Sequence, residues 1–143
     1  MAEQQAPDFP LEKLWEQARR NWNALFFGIV DYLREQGQSP EDFAQWLGDR
    51  FAEGWEEMRG NMEEIAYYAA FNPVALGADL ILYEVGENEA TIQTTTDHLD
   101  ASEEDIASIG EIYAAIMDYL DVDYEWEREG NVTTLRLRQR EQA

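Results

Sequence analysis

Leu11, Leu14, Trp15, Ala18, Trp22, Leu25, Phe26, Ile29, Val30 and Leu33 recur at spacings of three and four, the period of one helix face. Pro10 suits a first helical turn and Gly37 a stop, so the pattern predicts a long amphipathic helix over about 10–36, built into the core. Ser39-Pro40-Glu41-Asp42 reads as the next helix start, with serine as cap, proline first and acids in the opening turn. Phe43, Leu47, Phe51, Trp55 and Met58 then line one face, and Gly60-Asn61 suggests a break. Asn61 with Glu64 three residues on can cap a third helix through Phe71, which Asn72-Pro73 would end. One continuous helix over 41–71 is the alternative.

Beyond residue 78 the period changes. Leu80–Val85 and Ala90–Thr96 are strand-like and joined by Gly86-Glu87-Asn88-Glu89. Pairing Val85 with Ala90 sets Tyr83 opposite Ile92 and Ile81 opposite Thr94, giving one mostly apolar face. Ser102 through Asp105 caps a further helix, with Ile106, Ile109, Tyr113, Ile116, Met117 and Leu120 on one side. Gly130-Asn131 is a two-residue hairpin signal. Its register pairs Trp126 with Leu135 and Tyr124 with Leu137 on one face, and Glu125 with Arg136 and Asp123 with Arg138 on the other. A slip of one residue would destroy both matches.

The order is three helices, hairpin, helix, hairpin. It predicts an α+β fold, with N-terminal helices packed on a small antiparallel sheet made of two hairpins separated by a helix. We expect a single domain over 1–143: a frayed terminus at 1–9, a helical part at 10–71 and a strand-bearing part at 78–138. The 143 residues can bury about 68–70% of the unfolded surface, and 13% aromatic content argues against a solvated coil.

Charge narrows the partners. The chain has 31 acids against 10 bases, a net of −21. Residues 61–131 hold eighteen acids and one base, Arg128, a net of −17, whereas residues 1–60 stand at −6 and the tail from Val132 at +2. Direct binding to a nucleic-acid backbone needs a basic face and is not expected. A solvated acidic surface, a cation site and a DNA-mimicking surface over residues 61–131 are the readings left. The longest apolar run, about Ala24–Val30, is far short of the roughly 20 residues a span requires, and the acidic start does not read as a signal peptide. A cytoplasmic protein without membrane attachment is the expectation.

Candidate chemistry is sparse. With no cysteine, disulfides, thiolate–zinc sites and a thiol nucleophile are excluded. His98 is the only histidine. With Asp97 and Asp100 it forms a weak candidate metal set, matching neither HExxH nor a calcium-loop pattern, and it reads more readily as an exposed loop histidine before a capped helix. As a haem ligand it lacks an apolar helix face. No GxSxG, phosphate loop or dinucleotide fingerprint appears, so the sequence argues for no enzyme activity and names no cofactor. Gly28, Gly54 and Gly110 fall inside predicted helices, where each costs about 1 kcal/mol against alanine. Close packing or room for a ligand would explain them. On the second reading Trp22, Phe26, Phe51, Trp55, Tyr67, Tyr83 and Tyr113 line an apolar pocket; on the first they are core.

The strand pair Leu80–Val85 and Ala90–Thr96, the helix Ile106–Leu120 and the hairpin Tyr124–Arg138 with its Glu129-Gly130-Asn131 turn carry a resemblance. Residues 78–138 resemble the C-terminal part of the 4-vinyl reductase domain family, which is related in fold to the TRAPP transport components. The preceding helices also look like that family's layout. The resemblance implies a small-molecule-binding or sensory domain that takes a hydrophobic ligand and often forms a homodimer. The cysteines such domains often carry before the last helix and in the final hairpin are missing here, which puts a metal-centred version in doubt. His98 lies near the first of those places. The leading expectation is therefore a non-enzymatic domain with an aromatic-lined cavity between the N-terminal helices and the sheet. The alternatives are an acidic interaction module and a carboxylate/histidine metal protein.

Overall fold

The computed structural model describes residues 7–97, 99 and 102–141. Four helices, α1 (Leu11–Glu35), α2 (Pro40–Ala52), α3 (Met62–Ala75) and α4 (Glu103–Tyr119), accompany four strands, β1 (Leu80–Val85), β2 (Glu89–Thr95), β3 (Val122–Glu129) and β4 (Val132–Gln139). The class is α+β. The sheet is antiparallel in the order β1-β2-β4-β3, so the two hairpins join through β2 and β4. Helix α3 lies against β1 and β2, α4 against β3, and α2 runs along α4. Ile65, Ile92, Met117, Leu120, Val30 and Val122 are the largest fully buried side chains.

The capping residues act as their chemistry requires. The side-chain oxygens of Ser39, Asn61 and Ser102 accept from the amides of Asp42, Glu64 and Asp105 at 3.4, 3.1 and 3.2 Å. Between α2 and α3 the chain tightens into a 3-10 turn, Glu53–Met58, that buries Trp55 and Met58, so one continuous helix over 41–71 does not form. Pro73 does not end α3 as expected. It sits in the last turn, where its missing N–H forfeits one intrahelical bond, and the helix continues to Ala75. Gly77, at φ 114, makes the real stop: its own amide and that of Ala78 return to the carbonyls of Val74 and Pro73.

The two hairpins differ in how closely side-chain matching predicts their registers. In the C-terminal one all four expected pairs form, and Gly130, at φ 61, supplies the first position of the turn. In the first, Val85 pairs with Ala90 and Tyr83 with Ile92, but Thr94 faces Leu80. A bulge between Leu80 and Leu82 displaces Ile81 from the pairing expected of it.

Two expectations about helices need correction. Helix α1 is not a core element along its length: only Phe26, Phe27 and Val30 are buried, while Leu11, Leu14, Trp15 and Leu25 are exposed. Helix α2 buries Ala44, Gly48 and Ala52 in place of its large residues, with Phe51 exposed and Phe43 and Leu47 half-buried. The cause is proximity. A Cβ on Gly48 would stand 2.6 Å from the Ile112 carbonyl oxygen and 2.7 Å from the Ala115 Cβ, so α2 and α4 cross along a stripe of small residues. The larger α2 side chains turn toward α1, where Phe43 meets Phe26 and Phe51 meets Trp22 at 6.3 Å between ring centroids. Among the described residues no helix is long and apolar enough to cross a membrane.

Candidate functional site

A cavity of about 510 Å3 lies between the helices and the covered face of the sheet. Helix α1 contributes Trp22, Asn23, Phe26 and Phe27, and the end of α2 with the turn after it gives Phe51, Gly54 and Trp55. Ala69, Asn72, Pro73 and Leu76 come from the C-terminal part of α3 and its exit. Ile106, Ile109, Ile112, Tyr113 and Ile116 form one stripe of α4. The floor is the sheet, through Ile92, Thr94, Leu135, Thr133 and Trp126.

Each wall follows from local sequence. The α4 stripe repeats at three and four residues, so the capped helix aims all five side chains the same way. Gly110, on the same helix, lets Trp126 lie against the backbone: a Cβ there would come within 2.9 Å of the indole ring. Tyr124 fixes the helix from below by donating its hydroxyl to the Gly110 carbonyl at 2.9 Å. Burial pushes the phenols of Tyr124 and Tyr113 above their ordinary range, so both stay protonated and serve as hydrogen-bonding or apolar surface. Gly54 behaves differently from Gly110. It lines the cavity and a Cβ there would meet nothing within 4 Å, so its contribution is space.

Of the seven aromatics singled out from sequence, Trp22, Phe26, Phe51, Trp55 and Tyr113 line this cavity. Tyr67 and Tyr83 do not. Helix α3 buries Ile65, Ala66, Ala69 and Ala70, which turns Tyr67 outward at 51% exposure. Tyr83 shares a sheet row with Ile92 but stands on the edge strand, 41% exposed. Partial burial, with Glu63 and Tyr67 nearby, raises its phenol. Sequence reasoning passed over the isoleucines of α4, Trp126, Leu135 and the threonines of β2 and β4. The two hairpin registers already placed Trp126 with Leu135 on one apolar face and Ile92 on another, and joining those faces would have found part of this floor.

The metal candidates do not form a described site. His98 and Asp100 lie outside the described residues, and the Asp97 carboxylate accepts from the Asn131 amide. Among the described residues no group of three metal-ligating side chains gathers. Away from the cavity walls, Arg34 of α1 holds the buried Asp105 carboxylate at the start of α4. Hydrogen bonding to Asp105, with burial, raises the Asp31 carboxyl beside it.

The acids of residues 61–131 do not make one face. They lie on α3, on α4 and on the solvent side of β3, with Glu103 paired to Arg128, Glu127 to Arg136 and Asp121 to Arg59.

No family model matches the chain, and no curated protein matches it at a significant level. Among solved structures, the chain is similar to a crystal structure of trafficking protein particle complex subunit 3 from Naegleria fowleri, covalently bound to palmitic acid. The TM-score is 0.50 at 12% identity, covering 91% of this chain and 97% of that one. The likeness is one of fold, and it makes this fold TRAPP-like.

Proposed function

We propose that this protein is a non-enzymatic binding or sensory domain that holds a hydrophobic small molecule in the cavity between its helices and sheet. The observation that carries the proposal is the cavity itself. It offers about 510 Å3 of partly open space walled by aromatics and isoleucines, far more than the few water-sized voids that a packed interior leaves. The volume falls within the roughly 300–1,000 Å3 of small-molecule sites. The similarly folded trafficking subunit holds palmitic acid, which supports a long aliphatic ligand here. This chain has no cysteine, so attachment of a ligand through a cysteine thioester is excluded. Among the described residues the cavity walls offer no nucleophile paired with a base, and Tyr113 remains protonated, which favours binding over chemistry.

On this reading Trp22, Phe26, Phe51, Trp55 and Tyr113 are ligand-binding residues, and residues 1–143 act as one domain whose 78–138 part is related to the 4-vinyl reductase domains. Native mass spectrometry of freshly purified protein, beside mass analysis of its solvent extract, tests the proposal. A bound aliphatic species released on denaturation supports it. A protein that is empty and takes up no apolar fluorophore contradicts it.

A second reading, homodimer formation, is favoured by the exposed apolar surface of Tyr67, Tyr68, Phe71, Val74, Ile81 and Tyr83. Interaction through acids alone has less support, because those acids are distributed over both sides of the sheet and several are already paired.

A further inference from the structure

Helix α4 turns one stripe toward the cavity, and Ile106, Ile109, Ile112 and Ile116 make that stripe aliphatic. Tyr113 stands within it and breaks its chemistry. Phenylalanine would fill the same space with no hydroxyl to desolvate, and a buried tyrosine hydroxyl ordinarily finds a partner inside the protein. The neighbouring Tyr124 follows that rule by donating to the Gly110 carbonyl at 2.9 Å. The Tyr113 hydroxyl makes no hydrogen bond to a described residue, and burial is the one influence on its phenol.

Among the described residues, unpartnered polar atoms of this fold are of two kinds. Arg34 Nε, Arg128 Nη1, Thr133 Oγ1 and Gln139 Oε1 are wholly enclosed, so no ligand atom reaches them. The Tyr113 hydroxyl is not one of these enclosed atoms. It keeps accessible surface although the residue lies deep in the fold, and the open space that Tyr113 borders is the cavity. Burial pushes its phenol up, so the group faces that space as a protonated donor. A water held there would need about two to four polar partners, and the flanking isoleucine side chains supply none. An acceptor oxygen on an otherwise apolar ligand satisfies the donor while the isoleucines take the chain.

We propose that Tyr113 is the specificity-determining contact of the cavity, its hydroxyl donating to a carbonyl or carboxylate oxygen carried on the aliphatic chain of the ligand. This inference rests on the cavity being a ligand site. It is tested by displacement of the apolar fluorophore N-phenyl-1-naphthylamine from the full chain at pH 8, using 2-dodecanone, dodecanoate and 1-chlorododecane. Each oxygen compound is scored by its advantage over the chloroalkane, and we expect about fivefold for at least one of the two. Tyr113→Phe removes only the hydroxyl. It should abolish that advantage without lowering the melting temperature of the unliganded protein, where the hydroxyl has no partner to lose. Tyr124→Phe is the control: it breaks a satisfied hydrogen bond outside the cavity walls, so it should lower the melting temperature and leave the advantage in place. An advantage for 2-dodecanone marks a neutral carbonyl, and one for dodecanoate alone an ionised head; either supports the inference when Tyr113→Phe removes it. No advantage for either oxygen compound, or one that survives Tyr113→Phe, would overturn the inference while the cavity reading stands. Failure of the fluorophore and all three compounds to bind would overturn both.

Discussion

Gly48 is the residue on which the α2–α4 crossing turns, and its weight was not legible in the sequence. Glycine and alanine contribute little hydrophobic signal, so the larger Phe43, Leu47 and Phe51 defined the apparent core face of α2 while Ala44, Gly48 and Ala52 became the buried one. Gly48→Ala puts a methyl against a backbone carbonyl that cannot yield alone, so we expect a net loss of about 1–2 kcal/mol despite the better helix propensity of alanine. Gly28→Ala is the control. It is exposed in mid-helix with nothing within 4 Å of a Cβ, and should gain about 0.5–1 kcal/mol. Denaturant midpoints of the two variants should move in opposite directions; a shared direction would count against the close crossing. Tyr67 and Tyr83 failed as cavity residues for a related reason. Aromatic identity marks surface worth burying, but only the small residues of α3 and the edge position of β1 reveal which way each ring faces.

At the scale of elements, legibility depended on how many independent constraints met at one place. The C-terminal hairpin could be read to the residue because apolar pairs, ion pairs and turn chemistry agreed on one register. The first hairpin offered pattern on one face only, and the bulge at Ile81 left no mark in it. Pro73 misled because a proline in a final turn costs one bond, whereas the positive φ at Gly77 ends the helix outright. The attachment of α1 to α4 was likewise invisible, since Arg34 and Asp105 are 71 positions apart. Because the Asp105 side chain is almost wholly buried, removing its partner strands a charge. Arg34 is more than a third exposed, so we expect Arg34→Met to cost about 2–3 kcal/mol, less than the 3–5 of a fully buried pair. Asp105→Asn in that background should recover part of it, in a double-mutant cycle read by chemical denaturation. A loss within about 0.5 kcal/mol would mean that the pair is incidental to the joining of the two helices.

At the scale of the whole molecule, the fold class and the order of elements followed from periodicity, while the cavity did not. A stripe of aromatics is compatible with a filled core or a lined void, and only the arrangement of four helices over one sheet distinguishes them. Here α1 and the turn after α2 cover the gap between α3 and α4 without filling it, and Gly54 withholds a side chain at that spot. The acids, concentrated along one stretch of the chain, are dispersed around the fold and partly paired, so the large negative charge bears on which ligands are repelled more than on a binding face. The central claim is that the space is an aliphatic binding site, and an affinity series of straight-chain alcohols from octanol to octadecanol tests it most directly. Each buried methylene is worth about 0.8 kcal/mol, so affinity should rise about fourfold per carbon until the cavity is full and then level off. Ala69→Phe, which projects a ring from α3 into the space, should move that plateau to shorter chains. An affinity that is absent or flat across the series, with the variant indistinguishable from the original chain, would contradict the account.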